Sequence, residues 1–139
     1  MSCIYTGINR YARKNGRFKI GQTNNKYPTN RINANELECI YYLSCPYITP
    51  TELDLLEKLA AYTCQKIGLE LVYGCKDWFW YNIDNRFSCK EAQAERFATA
   101  VMERLVQECQ AMNVQYEVRA CYHNGKRYSC SAAKYISLS

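Results

Sequence analysis

Two short stretches near the N-terminus read as strands, and in the second of them apolar and polar residues alternate. Cys3-Ile4-Tyr5 lies in the first, over residues 2–8, and Phe18-Lys19-Ile20 carries the second, over 17–22. A period of two marks strands, and Asn15-Gly16 just before the second stretch is a hairpin-turn signal. The two are expected to pair as an antiparallel hairpin with a loop from Asn9 to Gly16, and Gly21 ends the second strand where it becomes a loop. Pro28, in the polar stretch Asn24 to Asn35, suits the first position of a short helix or turn that presents Arg31. Leu37 to Ser44, rich in Ile, Tyr and Leu, reads as a third strand.

The period then changes. Leu53, Leu56, Ala60, Thr63, Cys64 and Ile67 recur at helical spacing behind Thr49-Pro50-Thr51-Glu52, which offers a capping Thr, a Pro in the first turn and a Glu for a capping box. Gly68 is a fitting stop. Leu69 to Tyr73 and Asp77 to Ile83 read as strands, with the aromatic run Trp78-Phe79-Trp80-Tyr81 expected in the core. A second capping box, Ser88-Cys89-Lys90-Glu91, opens a helix to about Met112 with a stripe of Ala92, Ala98, Val101, Met102, Leu105, Val106 and Cys109. Val114 to Tyr122 alternates, Asn124-Gly125 is a two-residue turn, and Lys126 to Ala132 returns as a strand. The expected fold is α+β: a small three-stranded antiparallel sheet flanked by helices over residues 1–86, extended by a long helix and β-hairpin over residues 87–139.

Composition narrows the class. A chain of 139 residues can bury a real core, and 48% hydrophobic with 22% charged residues is ordinary for a globular protein. No apolar run approaches the roughly 20 residues that span a bilayer, and Met1-Ser2-Cys3-Ile4-Tyr5 has no basic segment followed by an apolar one. An intracellular protein without a membrane partner is expected. The nine Cys are odd in number, no Cys-x-x-Cys occurs and His123 is the single His, which argues against a zinc finger and for reduced, buried thiols.

Charge changes the picture more. The net charge is only +5, yet Arg10, Arg13, Lys14, Arg17, Lys19, Lys26 and Arg31 all precede the first carboxylate, Glu36. A block of one sign interleaved with Tyr5, Tyr11 and Tyr27 suits contact with a polyanion. Glu57 is the second unusual charge. It sits at the margin of the apolar stripe of its helix, and its neighbours one turn away are Leu53, Asp54, Ala60 and Ala61, so no cation of that helix can pair with it. A carboxylate at a core edge needs a partner from elsewhere, either Arg31 or a metal.

Taken in order, Cys3-Ile4-Tyr5, Lys19-Ile20-Gly21, Arg31 and Glu57 resemble the motifs of the GIY-YIG nuclease superfamily, in particular its phage and mobile-element branch with a Lys-Ile-Gly second motif. Asp77-Trp78-Phe79 resembles the strand that closes the domain in that branch, and the resemblance covers roughly residues 2–83. Cys3 stands where the family has Gly, and Asn82 is a candidate for the place of its terminal Asn. The resemblance implies a Mg²⁺-dependent (or Mn²⁺-dependent) endonuclease acting on DNA. Tyr5 would help deprotonate the attacking water, with Lys19 lowering the proton affinity of its phenol. Arg31 would clamp the phosphoryl oxygens, and Glu57 would hold the metal. Arg10, Arg13, Lys14, Arg17 and Lys26 would contact the DNA backbone, and a homodimer is one route to cutting both strands. The alternatives are a catalytically degenerate nucleic-acid-binding protein and a viral or mobile-element protein-interaction module built on the Tyr-rich surface.

Overall fold

The N-terminal hairpin lies at the centre of a larger sheet. The computed structural model describes residues 2–9, 15–25, 37–87, 90–120, 122–123 and 126–127. In it β1 (Ser2–Asn9) pairs antiparallel with β2 (Asn15–Thr23) on one side and with β3 (Leu37–Cys45) on the other. Three further strands follow in the chain: β4 (Glu70–Leu71), β5 (Trp78–Asn82) and β6 (Glu117–Ala120). The full order is β4-β5-β2-β1-β3-β6, so the sheet has six strands and not the three expected. The reason is edge pairing: in a three-stranded sheet β2 and β3 would each leave a row of backbone groups open. β5 covers the first edge and β6 the second.

A second correction concerns Asn15-Gly16. The pair does not turn the chain but lies inside β2, opposite Asn82 and Tyr81 of β5. A side chain on Gly16 would overlap the Tyr81 ring, so Gly16 is there for close aromatic approach and not for a turn. Without β5, the sequence offers no sign of that ring.

Among the described residues, two helices complete the layer. α1 (Pro50–Lys66) begins with the expected capping box: the Glu52 N–H donates to Thr49 Oγ1 at 3.1 Å, and the Thr49 N–H donates to a Glu52 carboxylate oxygen at 3.0 Å. It stops before Gly68, whose φ of +102° only glycine adopts without strain. α2 (Lys90–Ala111) ends close to the expected point; residues 88 and 89, which carry the start of its foreseen capping box, lie outside the described residues.

Alternation assigns the faces. Ile4, Ile8, Phe18, Ile20, Phe79 and Tyr81 join Leu53, Leu56, Ala60 and Cys64 of α1 and Ala98, Val101, Met102 and Leu105 of α2 in one buried core. Phe97 of α2 meets Tyr81 and Phe18 edge-on at 5.0 and 6.2 Å. Cys3, Tyr5 and Tyr42 form a separate cluster with Trp78, on the opposite face of the sheet. The aromatic run is therefore core only at every second residue: Phe79 and Tyr81 are buried, whereas Trp78 and Trp80 are partly exposed.

From the C-terminal part of the chain, α2 and β6 are built onto this core and sheet. The expected hairpin of Val114 to Tyr122 with Lys126 to Ala132 is seen only in part: Glu117–Ala120 joins the main sheet as β6, a short ribbon pairs β7 (Tyr122–His123) with β8 (Lys126–Arg127), and residues 128–132 lie outside the described residues. Cys3, Cys45, Cys64 and Cys109 are free and buried, as foreseen, and Cys75 is free and partly exposed. Burial pushes the Cys3 thiol up to about 12, far from a reactive thiolate. No helix among the described residues is long and apolar enough to cross a membrane.

Candidate active site

The end of β2 gathers the chemistry. Tyr5 on β1 stands directly across from Gly21, and its ring and hydroxyl occupy the space that any Gly21 side chain would need. The second motif thus has a steric reason for glycine: it lets Tyr5 lie flat over the neighbouring strand. Tyr5 is only 2% exposed, packed with Cys3, Tyr42 and Trp78.

Lys19, two residues before Gly21, is on the same face and 6% exposed. Its ammonium lies 2.7 Å from Asp77 Oδ2 and 5.0 Å from the centre of the Trp78 ring, the residue paired with it across the β2–β5 ladder. The backbone holds this pairing, since the Ile20 N–H donates to the Asp77 carbonyl at 3.0 Å. A buried ammonium needs such a partner. Its charge is shared with Asp77, so less of it acts on Tyr5 than an unpaired Lys would supply.

Glu57 approaches from α1. It is half-buried, and the Gln22 side chain, next after Gly21, donates to Asp54 Oδ1 at 2.8 Å and lies near enough to Glu57 to favour its charged form. Asp54 and Glu57 are one turn apart, so one amide lies beside both. These three residues, with Lys58, Ala61 and Lys76, line a cleft of about 280 Å³. Burial raises the Glu57 carboxyl above its ordinary value; Gln22 opposes this, Asp77 and Asp54 add to it, and Lys19 opposes it. Among the described residues no cation forms an ion pair with Glu57.

Of the residues expected at the site, Tyr5 and Lys19 therefore share the face of β1 and β2 away from the helices, beside Gly21, whereas Glu57 reaches the next residue, Gln22, from the helix side, with the charges of Lys19 and Asp77 near enough to act on it. Arg31, Arg10, Arg13, Lys14 and Lys26 lie outside the described residues. Arg17 does not stand free: its guanidinium carbon is 4.2 Å from the centre of the Trp80 ring. Gln22 and Asp54 were not foreseen. Asp54 was legible as the acid one turn before Glu57, whereas Gln22 needed the docking of α1 against β2.

The donors can be tested against a metal. Among the described residues no group of three or more His, Cys, Asp or Glu is close enough to cage an ion. The cleft instead offers hard oxygens, from Glu57 and Asp54, in a partly desolvated place that Lys58 and Lys76 also line but where no ion pair is made to Glu57 among the described residues. That set fits Mg²⁺, which keeps several waters and takes one or two carboxylates, and does not fit Zn²⁺ or a full Ca²⁺ cage. Comparison with protein-family models, with curated proteins and with solved structures finds no match to this chain.

Proposed function

We propose that the chain is a Mg²⁺-dependent DNA endonuclease of the GIY-YIG type. The observation that supports this reading is that Tyr5 and Lys19 flank Gly21, whose missing side chain makes room for the tyrosine, while Glu57 reaches the next residue, Gln22, from α1 and feels the charge of Lys19. In this reading Tyr5 accepts the proton of the attacking water and Lys19 stabilises the phenolate. Arg31 binds the non-bridging phosphoryl oxygens through its planar fork. Glu57, oriented by Gln22, holds the ion with help from Asp54. When bound, Mg²⁺ supplies positive charge against the charge that develops on the phosphoryl group.

Supercoiled plasmid and branched DNA, incubated with the protein in Mg²⁺, test this. Cutting by the wild type, abolished by EDTA and lost in Glu57→Gln, is expected. No cutting by the wild type, or equal cutting by both, overturns it.

One observation favours a second reading. Tyr5 is nearly sealed from solvent and Lys19 is engaged by Asp77, as suits a nuclease-like fold that binds nucleic acid without cutting it. That protein would bind DNA in EDTA with steep salt dependence and leave plasmid intact.

A further inference from the structure

On the face of the sheet away from the helices, two cross-strand pairs repeat the same chemistry. Arg17 lies over Trp80 with its guanidinium carbon 4.2 Å from the ring centre, and Lys19 lies over Trp78 with its ammonium 5.0 Å away. The two indoles sit two residues apart on β5, about 7 Å along the strand. A strand that merely closes a sheet places small or polar residues on its outer face; here the two largest side chains of the genetic repertoire stand there, both partly exposed. Acidic groups bound the strip on one side. Glu70 of β4 is directly opposite Trp80, and Asp77 holds Lys19. A polyanion is thus steered toward the β2 side, where Arg17 is the cation without a carboxylate partner among the described residues.

We infer that this strip binds a single-stranded stretch of nucleic acid, with bases stacked on the Arg17–Trp80 and Trp78 planes and phosphates on the β2 side. Indole rings and guanidinium planes accept any base face, and the Arg17 guanidinium beside Trp80 meets the phosphate that follows, whereas Lys19 stays with Asp77. A duplex keeps its bases stacked internally and offers no such face, so the strip discriminates between the two forms. The inference rests on the reading of this chain as a nucleic-acid protein, but not on its cutting anything. It gives that reading a substrate class: DNA with an unpaired segment beside the site at Gly21.

The chain has two Trp, and both are in the strip, so its intrinsic tryptophan fluorescence reports on this surface alone. The full-length Glu57→Gln protein is titrated in EDTA with a short oligothymidylate and with a duplex of equal length. Saturable quenching by the oligothymidylate is expected, at least about tenfold tighter than any duplex binding, with affinity falling as salt rises. By anisotropy of a labelled oligothymidylate, Trp80→Leu is expected to weaken binding about tenfold, near the lower end of the loss of one stacked base. Arg17→Gln, at a site whose change leaves the core untouched, is expected to flatten the salt dependence by about one ion. Absence of binding, equal quenching by duplex, or unchanged affinity in both variants overturns the inference. Plasmid cutting without quenching sinks the strip and spares the nuclease; quenching without cutting does the reverse.

Discussion

β2 and β5 send alternate side chains to two very different environments. Toward the helices go Phe18, Ile20, Phe79 and Tyr81, sealed against Leu, Ala, Val and Met of α1 and α2. Toward the other side go Arg17, Lys19, Trp78 and Trp80, arranged as cations over indoles. The difference teaches that the aromatic run does two jobs at once. Phe79 and Tyr81 contribute stability through near-complete burial, whereas Trp78 and Trp80, partly exposed, also hold charge in place. Stability and function are thus separated by a single step in the pleat, and neighbouring substitutions should report on different properties.

The largest expected effect is Phe79→Ala. The ring is fully buried at the middle of the sheet, so its loss combines transfer energy with a cavity, about 3–5 kcal/mol. Trp80→Ala, one residue on, removes a larger side chain from a partly exposed position and is expected to cost distinctly less. Urea unfolding of both variants measures this. If Trp80→Ala proves the more damaging, the assignment of the two faces is wrong.

Glycine gives the next contrast. Gly16 lies under Tyr81 on the helix face, and Gly21 lies under Tyr5 on the opposite face. Alanine at either place pushes an aromatic ring aside, an overpacking worth roughly 1–3 kcal/mol. Similar losses of stability are expected, but only Gly21→Ala should also abolish cutting, because Tyr5 and the Gln22 that follows belong to the candidate site. Thermal unfolding paired with the plasmid assay separates the two; equal activity in both variants removes Tyr5 from the mechanism.

How much of this was legible beforehand follows from the range of each interaction. The capping box of Thr49 and Glu52, the stripe of α1 and the alternation of β1 and β2 are local, and local patterns survive in a sequence. The grouping of Tyr5, Lys19 and Glu57 was legible only as motif order. What stayed hidden depends on pairing between distant strands. Gly16 looked like a turn because the Tyr81 ring above it comes from a strand more than sixty residues away. Arg17 looked like a free DNA contact because its indole partner is equally remote, and the strands added at both edges of the sheet required a register that no single segment carries.

A smaller effect on stability is expected from Lys19→Met. The substitution removes the 2.7 Å pair with Asp77, but that carboxylate is about one-third exposed and can rehydrate, while Met fills the buried stem. The net change is expected to stay within about 1 kcal/mol. Activity is the sharper readout, since the proposed mechanism needs the ammonium beside Tyr5. Unchanged cutting in Lys19→Met would leave the lysine as a structural partner of Asp77 and nothing more.

The smallest effect compares two carboxyls through their pH dependence. Partly exposed Asp84 is held down to about 2 by Arg86, which donates to it at 2.7 Å. Its folded value lies below its unfolded one, so its contribution is present above the ordinary carboxylate range and is lost as pH falls toward 2. Glu57 has the opposite sign. Burial raises its carboxyl, so the folded state binds the proton more tightly than the unfolded chain does. As pH climbs through the interval above the ordinary carboxylate range, the unfolded state releases its proton first and stability falls. Glu57→Gln removes that penalty, so its Tm is expected to exceed the wild type at neutral pH and to converge with it below about pH 4. If the cleft takes Mg²⁺, adding the ion raises the Tm of the wild type at neutral pH, because it binds only the folded chain, and leaves Glu57→Gln unmoved. A variant less stable than the wild type at neutral pH without metal would mean that Glu57 is satisfied where it stands, and the case for an ion in that cleft would fall with it.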